Sequence, residues 1–238
     1  MDNSQGSSQF EAPRALMNRL GLHFEDELLL SRAFTHRSYL NEHPEAIEDN
    51  ERLEFLGDAV LDFLVGAWLY HHFPEMAEGQ LTRLRSALVR TEQLAEFASR
   101  LGFGSAMRLG RGEAESGGRK RVALLCGTFE AFIGALYLDA GIDQVTAFME
   151  PLLDSVVDAI LISGRFQDPK SRLQELVQAE GNGAPTYRTV SASGPDHAKV
   201  FEVEVLIDGK VYGRGEGHSK QSAAKEAARQ ALSKLGRE

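Results

Sequence analysis

The run Asn50-Glu51-Arg52-Leu53-Glu54-Phe55-Leu56-Gly57-Asp58-Ala59-Val60-Leu61-Asp62 governs how most of the chain is read. Leu53, Leu56, Val60 and Leu64 recur at three- and four-residue spacing, which predicts an amphipathic helix. At about 100° per residue, with Glu51 at the origin, Glu54 falls near about 300°, Asp58 near about 340° and Asp62 near about 20°. Their carboxylates share one stripe, and the leucines lie opposite. Like charges at i,i+4 repel, so the stripe is locally unfavourable unless something positive sits on it. Hard divalent cations such as Mg²⁺ prefer oxygen ligands of this kind. A solvated acidic face accounts for the pattern equally well.

The helical period extends on both sides. Leu81, Leu84 and Leu88, then Leu94 and Phe97, repeat it, with Pro44, Pro74 and the run Gly110 to Gly118 as punctuation. Phe129 to Leu138 is apolar on almost every side and predicts a central buried helix. Residues 12–162 therefore read as an all-α domain. Glu130 interrupts that apolar helix, and a carboxylate there is costly unless paired or metal-bound. A salt bridge to Arg52 or Arg85 is one solution, and metal ligation together with Glu54 and Asp58 is the other. Gly57 and Gly134 each weaken a helix by roughly 1 kcal/mol, which a close approach of these two helices would explain.

After a linker at 163–167 the period changes. Asp168-Pro169 suits an N-cap followed by the first helical residue, with Leu173, Leu176 and Val177 as the apolar stripe. Tyr187 to Ser193 reads as a strand. Phe201, Val203, Val205 and Ile207 alternate with Glu202, Glu204 and Leu206, a half-buried strand. Asp208-Gly209 fits a two-residue hairpin turn before a returning strand from Val211 to Gly215. Ser219 then caps a helix striped by Ala223, Ala227, Ala228, Ala231, Leu232 and Leu235. Residues 168–237 are thus expected to form a small α+β domain of order α-β-β-β-α.

Composition excludes several classes. The chain has 238 residues, 42% hydrophobic and 26% charged, which rules out a disordered, collagen-like or multi-span membrane protein. The net charge of −9 is unevenly spread: residues 168–238 carry 11 basic and 10 acidic side chains, leaving 15 and 25 on the first 167. The two domains should therefore have different partners. No secretory signal or membrane span is visible, and the single Cys126 fits a reducing cytoplasm. His71 and His72 are adjacent and point apart on a helix, which disfavours zinc ligation.

The nine residues Asn50 to Asp58 resemble the motif of the ribonuclease III family of double-stranded RNA endonucleases. Thr35-His36-Arg37-Ser38, Glu78-Gly79, Leu84-Arg85 with Leu88-Val89, and Thr128-Phe129-Glu130-Ala131 agree in order and spacing. The tail resembles a double-stranded RNA-binding domain through Leu173-Gln174-Glu175, Gly194-Pro195-Asp196-His197 and Gly215-Glu216-Gly217-His218-Ser219-Lys220. The resemblance implies a homodimer whose subunits each cut one strand of duplex RNA, leaving 5′-phosphate and 3′-hydroxyl ends with a short 3′ overhang. It implies Mg²⁺ as cofactor, no small-molecule cofactor, no membrane partner, and roles in ribosomal RNA precursor processing and messenger RNA processing and turnover. Glu54, Asp58 and Glu130 match metal-ligand positions, with Asp58 and Glu130 the catalytic ones. Glu51 and Glu78 match accessory acidic positions. Ser171, Gln174, Glu175, His197, Lys220 and Lys225 are the implied RNA contacts. His36, within the Thr-His-Arg-Ser run, is expected to be structural.

One departure stands out. Gly127 occupies a position where the family has an aspartate ligand. A water can fill a vacant Mg²⁺ position, so weaker metal binding is expected rather than none. The competing expectation is a non-catalytic duplex-binding protein that lost turnover with this carboxylate.

Overall fold

The computed structural model describes residues 10–46, 48–163, 168–195 and 199–236. They form two compact units, residues 1–158 and 159–238. Residues 164–167 of the expected linker lie outside the described residues. Among the described residues no helix is long and apolar enough to cross a membrane.

The first unit is helical. Its elements are α1 (Pro13–Leu20), α2 (Glu27–Ala33), α3 (Arg37–Leu40), α4 (Glu51–His72), α5 (Glu78–Leu88), α6 (Thr91–Leu101), α7 (Phe103–Ala106), α8 (Arg111–Glu115) and α9 (Val122–Ser163). The glycine-rich run expected to be loop contains α8, which is only five residues long. Gly141, with φ 80°, breaks α9. The continuous burial expected through residue 138 ends at Leu136, since Tyr137 and Leu138 are exposed, and burial resumes past the break at Val145, Met149, Leu153 and Val157. An aromatic cluster joins the elements: Phe103 lies 5.1 Å from both Phe34 and Phe132, and Phe132 lies 5.2 Å from Phe148 beyond the break.

The contact that fixes the site is the crossing of α4 and α9. A Cβ on Gly57 would fall inside the carbonyl of Glu130, and one on Gly134 would fall inside the carbonyl of Leu53. Only glycine lets the two backbones meet at this spacing. Each glycine weakens its helix, and each is needed where the other helix passes.

The second unit has the order expected: α10 (Pro169–Ala179), β1 (Thr186–Ser193), β2 (Val200–Ile207), β3 (Lys210–Gly217) and α11 (Lys220–Lys234). The antiparallel sheet runs β1-β2-β3. Asp208 and Gly209 both adopt positive φ, 47° and 76°, as a type I′ hairpin requires, and Ile207 pairs with Lys210 across the turn. Leu173, Val177, Val205, Ile207, Ala227 and Ala231 form the core between sheet and helices. Glu204 departs from the half-buried pattern: its side chain is 3% exposed, sandwiched between Arg188 of β1 and Arg214 of β3, each at 2.6 Å. The two guanidiniums hold its carboxyl below the usual range. Alternation along β2 assigns Glu204 to the outer face, and the cross-strand arginines then cover it.

Candidate active site

The start of α4 is anchored by the Thr35–Ser38 segment. Asn50, buried, receives the first unit's chain through two bonds: its backbone N–H donates to the Thr35 carbonyl at 2.9 Å and its amide donates to the Ala33 carbonyl at 3.2 Å. Arg108 ties the same segment down, donating to Ser31 Oγ at 2.6 Å and stacking over the Tyr39 ring at 4.4 Å. The His36 ring accepts the Ser38 N–H and caps α3, and burial keeps its pKa low. This motif positions the acidic helix.

The acidic stripe is in place. Glu51, Asp58 and Asp62 are exposed, Glu54 is partly buried, and Leu53, Val60 and Leu64 are buried opposite. Arg37 approaches Glu51 at 3.5 Å, and Arg85 approaches Asp62 at 3.7 Å. Burial pushes the Glu54 carboxyl upward, and the charges of Glu51, Asp49 and Asp58 push the same way.

Glu130 lies on α9 beside this stripe. Desolvation raises its pKa to about 7, with the charges of Glu54 and Asp58 adding to the rise and a bond from Cys126 opposing it. The Cys126 thiol donates to Glu130 Oε1 at 3.5 Å, one helical turn away. Of the two arginines weighed as partners, Arg85 instead pairs with Asp62. Burial and the neighbouring carboxylates push the Cys126 thiol strongly upward, so it stays a neutral donor. Sequence reasoning read Cys126 for its redox setting; its i,i+4 spacing to Glu130 is the signal that identifies this contact.

Position 127 faces Glu54. A Cβ on Gly127 would lie 2.8 Å from Glu54 Oε2, so the Glu54 carboxylate stands against the space that a larger side chain would need. Glu78 opens α5 and accepts a hydrogen bond from Thr82 Oγ1 at 3.1 Å, a local contact that does not tie it to Glu54, Asp58 or Glu130. Among the described residues no three His, Cys, Asp or Glu side chains are already gathered as a closed metal cage. The donors nevertheless fit a hard divalent cation in kind: all are carboxylates, and mutual repulsion plus desolvation leave Glu54 and Glu130 short of positive charge.

In the second unit Gln174 and Glu175 are exposed on α10, Ser171 is partly buried there, and Lys220 is exposed at the first turn of α11. Ser219 caps α11 by accepting the Ser222 N–H at 3.0 Å. Lys225 is instead held by Asp168, Nζ to Oδ2 2.8 Å, a pairing that sequence reasoning did not anticipate. His197 lies outside the described residues.

Comparison with known proteins gives the same division. A family described as ribonuclease-III-like matches residues 26–156, and a double-stranded RNA binding motif matches residues 169–235. A protein of Geobacillus kaustophilus named ribonuclease 3 is 49% identical over 221 residues, covering 92% of this chain and 89% of that one. Another of that name from Bacillus licheniformis is 45% identical over 235 residues, covering 98% and 94%. The solved nuclease domain of ribonuclease III from Campylobacter jejuni, described for flexibility in a region involved in dimer formation, aligns with TM-score 0.54 and 38% identity. It covers 59% of this chain and 94% of that domain.

Proposed function

The chain belongs to the ribonuclease III family of endoribonucleases, and on that premise we propose that it is a Mg²⁺-dependent nuclease that cuts duplex RNA in the cytoplasm. The observation that carries the metal reading is Glu130: a desolvated carboxyl, locked beside the acidic stripe of α4 by the Gly57–Gly134 crossing, with a thiol as its neighbour. Glu54, Asp58 and Glu130 would hold the cation, and Glu51 and Glu78 would act as accessory acids. Bound there, Mg²⁺ would activate a water for attack on the phosphodiester and offset charge on the departing oxygen. Cys126 orients the Glu130 carboxylate, and Arg37 restrains Glu51. No Ser-His-Asp arrangement is needed for this chemistry.

We assign residues 12–162 to the nuclease and 168–237 to duplex recognition. Duplex RNA displays 2′-hydroxyls in a shallow minor groove, so the second unit reads shape. Ser171, Gln174 and Glu175 would face one minor groove, His197 the next, and Lys220 the phosphates between, aided by the N-terminus of α11. Phe55, Phe63 and Tyr70 stand exposed along α4, which supports a second copy of the chain as partner there. End-mapping on a perfect RNA duplex tests the cleavage reading: 5′-phosphate and 3′-hydroxyl ends with a short 3′ overhang are expected, and cyclic phosphates or blunt ends would overturn it. Processing of ribosomal RNA precursors and of messenger RNA is the role proposed.

Two outcomes follow from the charge distribution. A chain ending at residue 163 should cut duplex RNA only at low ionic strength, because phosphate contacts dominate affinity and weaken steeply with salt. Cleavage rates of the truncated and full chains across a salt series measure this, and equal rates throughout would remove the binding role from residues 168–236. Gly127→Asp should lower the half-saturating Mg²⁺ concentration severalfold, since one more anionic oxygen replaces a water. The new carboxylate must displace that of Glu54, so melting in EDTA should fall while melting in Mg²⁺ recovers. Superimposable Mg²⁺ curves would show that position 127 does not bear on the metal.

A further inference from the structure

Lys220 and Lys225 stand about 140° apart around α11 at about 100° per residue, so they do not form one basic edge. Lys220 is exposed, whereas the Lys225 ammonium lies 2.8 Å from Asp168 Oδ2, with the two side chains 40% and 27% exposed. Asp168 uses its other oxygen differently: Oδ1 accepts the Lys170 N–H at 3.0 Å and caps α10. Capping needs only an oxygen, which serine or asparagine also provides. The negative charge of Asp168 is therefore surplus to the cap, and Lys225 is what it engages.

The place matters as much as the pair. Asp168 and Lys225 border a cavity of about 410 Å³ with Ser171, Gln174, Lys170 and Tyr187. Ser171 and Gln174 are the residues assigned above to a minor groove, so this cation sits at the edge of the RNA face. The Lys170 ammonium is also occupied, 4.5 Å from the centre of the Tyr187 ring. A phosphate arriving at this edge must compete with a carboxylate already in contact.

We propose that Asp168 sets the duplex affinity of the second unit by holding the Lys225 ammonium, which reaches an RNA phosphate only when the Asp168–Lys225 pair opens. This rests on the duplex-binding reading given above. Asp168 acts through Lys225 and is a positioning residue. The pair keeps one cation in reserve, so the domain binds duplex RNA more weakly, and with less dependence on salt, than its basic side chains would allow.

A double-mutant cycle on the full chain tests it. Binding of a labelled RNA duplex of about 20 base pairs, longer than the ~16 that one such domain spans, is measured in EDTA, where cleavage is suppressed. Asp168→Ser and Asp168→Asn keep the cap and remove the charge. Both should bind roughly three- to tenfold tighter near ~0.15 M salt, with a salt slope steeper by about one. Lys225→Gln alone leaves the Asp168 carboxylate without its cation and should weaken binding, and Asp168→Ser/Lys225→Gln should bind no tighter than the wild type, because the gain passes through Lys225. An unchanged affinity of both Asp168 variants overturns the proposal. So does a double variant that keeps the gain, which would mean that removing any negative charge suffices. Absence of duplex binding by the wild-type chain even at low salt is a separate result, and overturns the duplex-binding reading itself.

Discussion

Glu130→Gln is expected to lower cleavage by roughly two to three orders of magnitude, the loss typical when one preorganised electrostatic group leaves an active site. Duplex binding should persist, because the residues assigned to it belong to the second unit. The same variant should be more stable than the wild type in EDTA at pH 8. The Glu130 carboxyl ionises at about 7, above its ordinary 4.5, because burial and neighbouring carboxylates disfavour the charge. A raised carboxyl contributes stability that is fully present below about 4.5 and is lost as pH rises through about 7. Metal-free wild type should therefore melt lower as pH climbs across that window. The glutamine variant, which cannot ionise, should lack most of the decline. After allowance for the solvent that reaches the site, the difference at pH 8 is roughly 1–2 kcal/mol. Thermal melts in EDTA from pH 4 to pH 8 measure it. Parallel melting curves for the two proteins, together with normal turnover by the variant, would remove Glu130 from the metal site.

Gly57→Ala is expected to damage the nuclease unit more than any other single methyl. The added Cβ collides with the Glu130 carbonyl, and that backbone cannot swing away as a side chain can. Alanine regains about 1 kcal/mol of helix propensity. Overpacking against a fixed backbone costs about 3 kcal/mol or more, so the steric effect wins. The nuclease unit should melt roughly 5–10 °C lower. Activity should fall further than stability alone requires, since spreading α4 from α9 separates Glu54 and Asp58 from Glu130. Gly66→Ala is the control on the same helix. Its Cβ would meet only the Arg85 side chain, at 3.8 Å, so the substitution should be neutral or mildly stabilising. Melting of both variants beside wild type decides the matter, and equal stability of the two would mean that the crossing is not packed as described.

Features set by local chemistry were legible in the sequence. Asp208-Gly209 announces its turn because two consecutive positive φ values suit few residue pairs. Asp168-Pro169 and Ser219 mark helix starts because their side chains satisfy N–H groups that the helix leaves open. Gly57 and Gly134 stood out because each opposes its own helix, and the structure shows the backbone contact that explains them. Contacts between distant residues were not legible. Strand alternation assigns Glu204 to the outer face, yet Arg188 and Arg214 from the flanking strands bury it. The sequence places Lys225 about a turn beyond Lys220 and leaves its partner open, and Asp168, far away in the chain, determines what its ammonium touches. At the candidate site, the acidic stripe followed from periodicity. The desolvation of Glu130 and the position of Glu54 against Gly127 depend on which side chains the close approach of α4 and α9 brings together, which no local pattern encodes.

The central claim is metal-dependent cutting of duplex RNA by this chain, with Gly127 in place. Its most direct measurement is the cleavage of an end-labelled RNA hairpin by the full chain as Mg²⁺ is titrated from none to excess, with duplex binding followed in parallel. The prediction is no product in EDTA, product that rises and saturates with Mg²⁺, and a matching single strand left uncut. Tight binding of the hairpin without cleavage at any Mg²⁺ concentration would contradict it and identify the chain as a duplex-binding protein that has lost turnover.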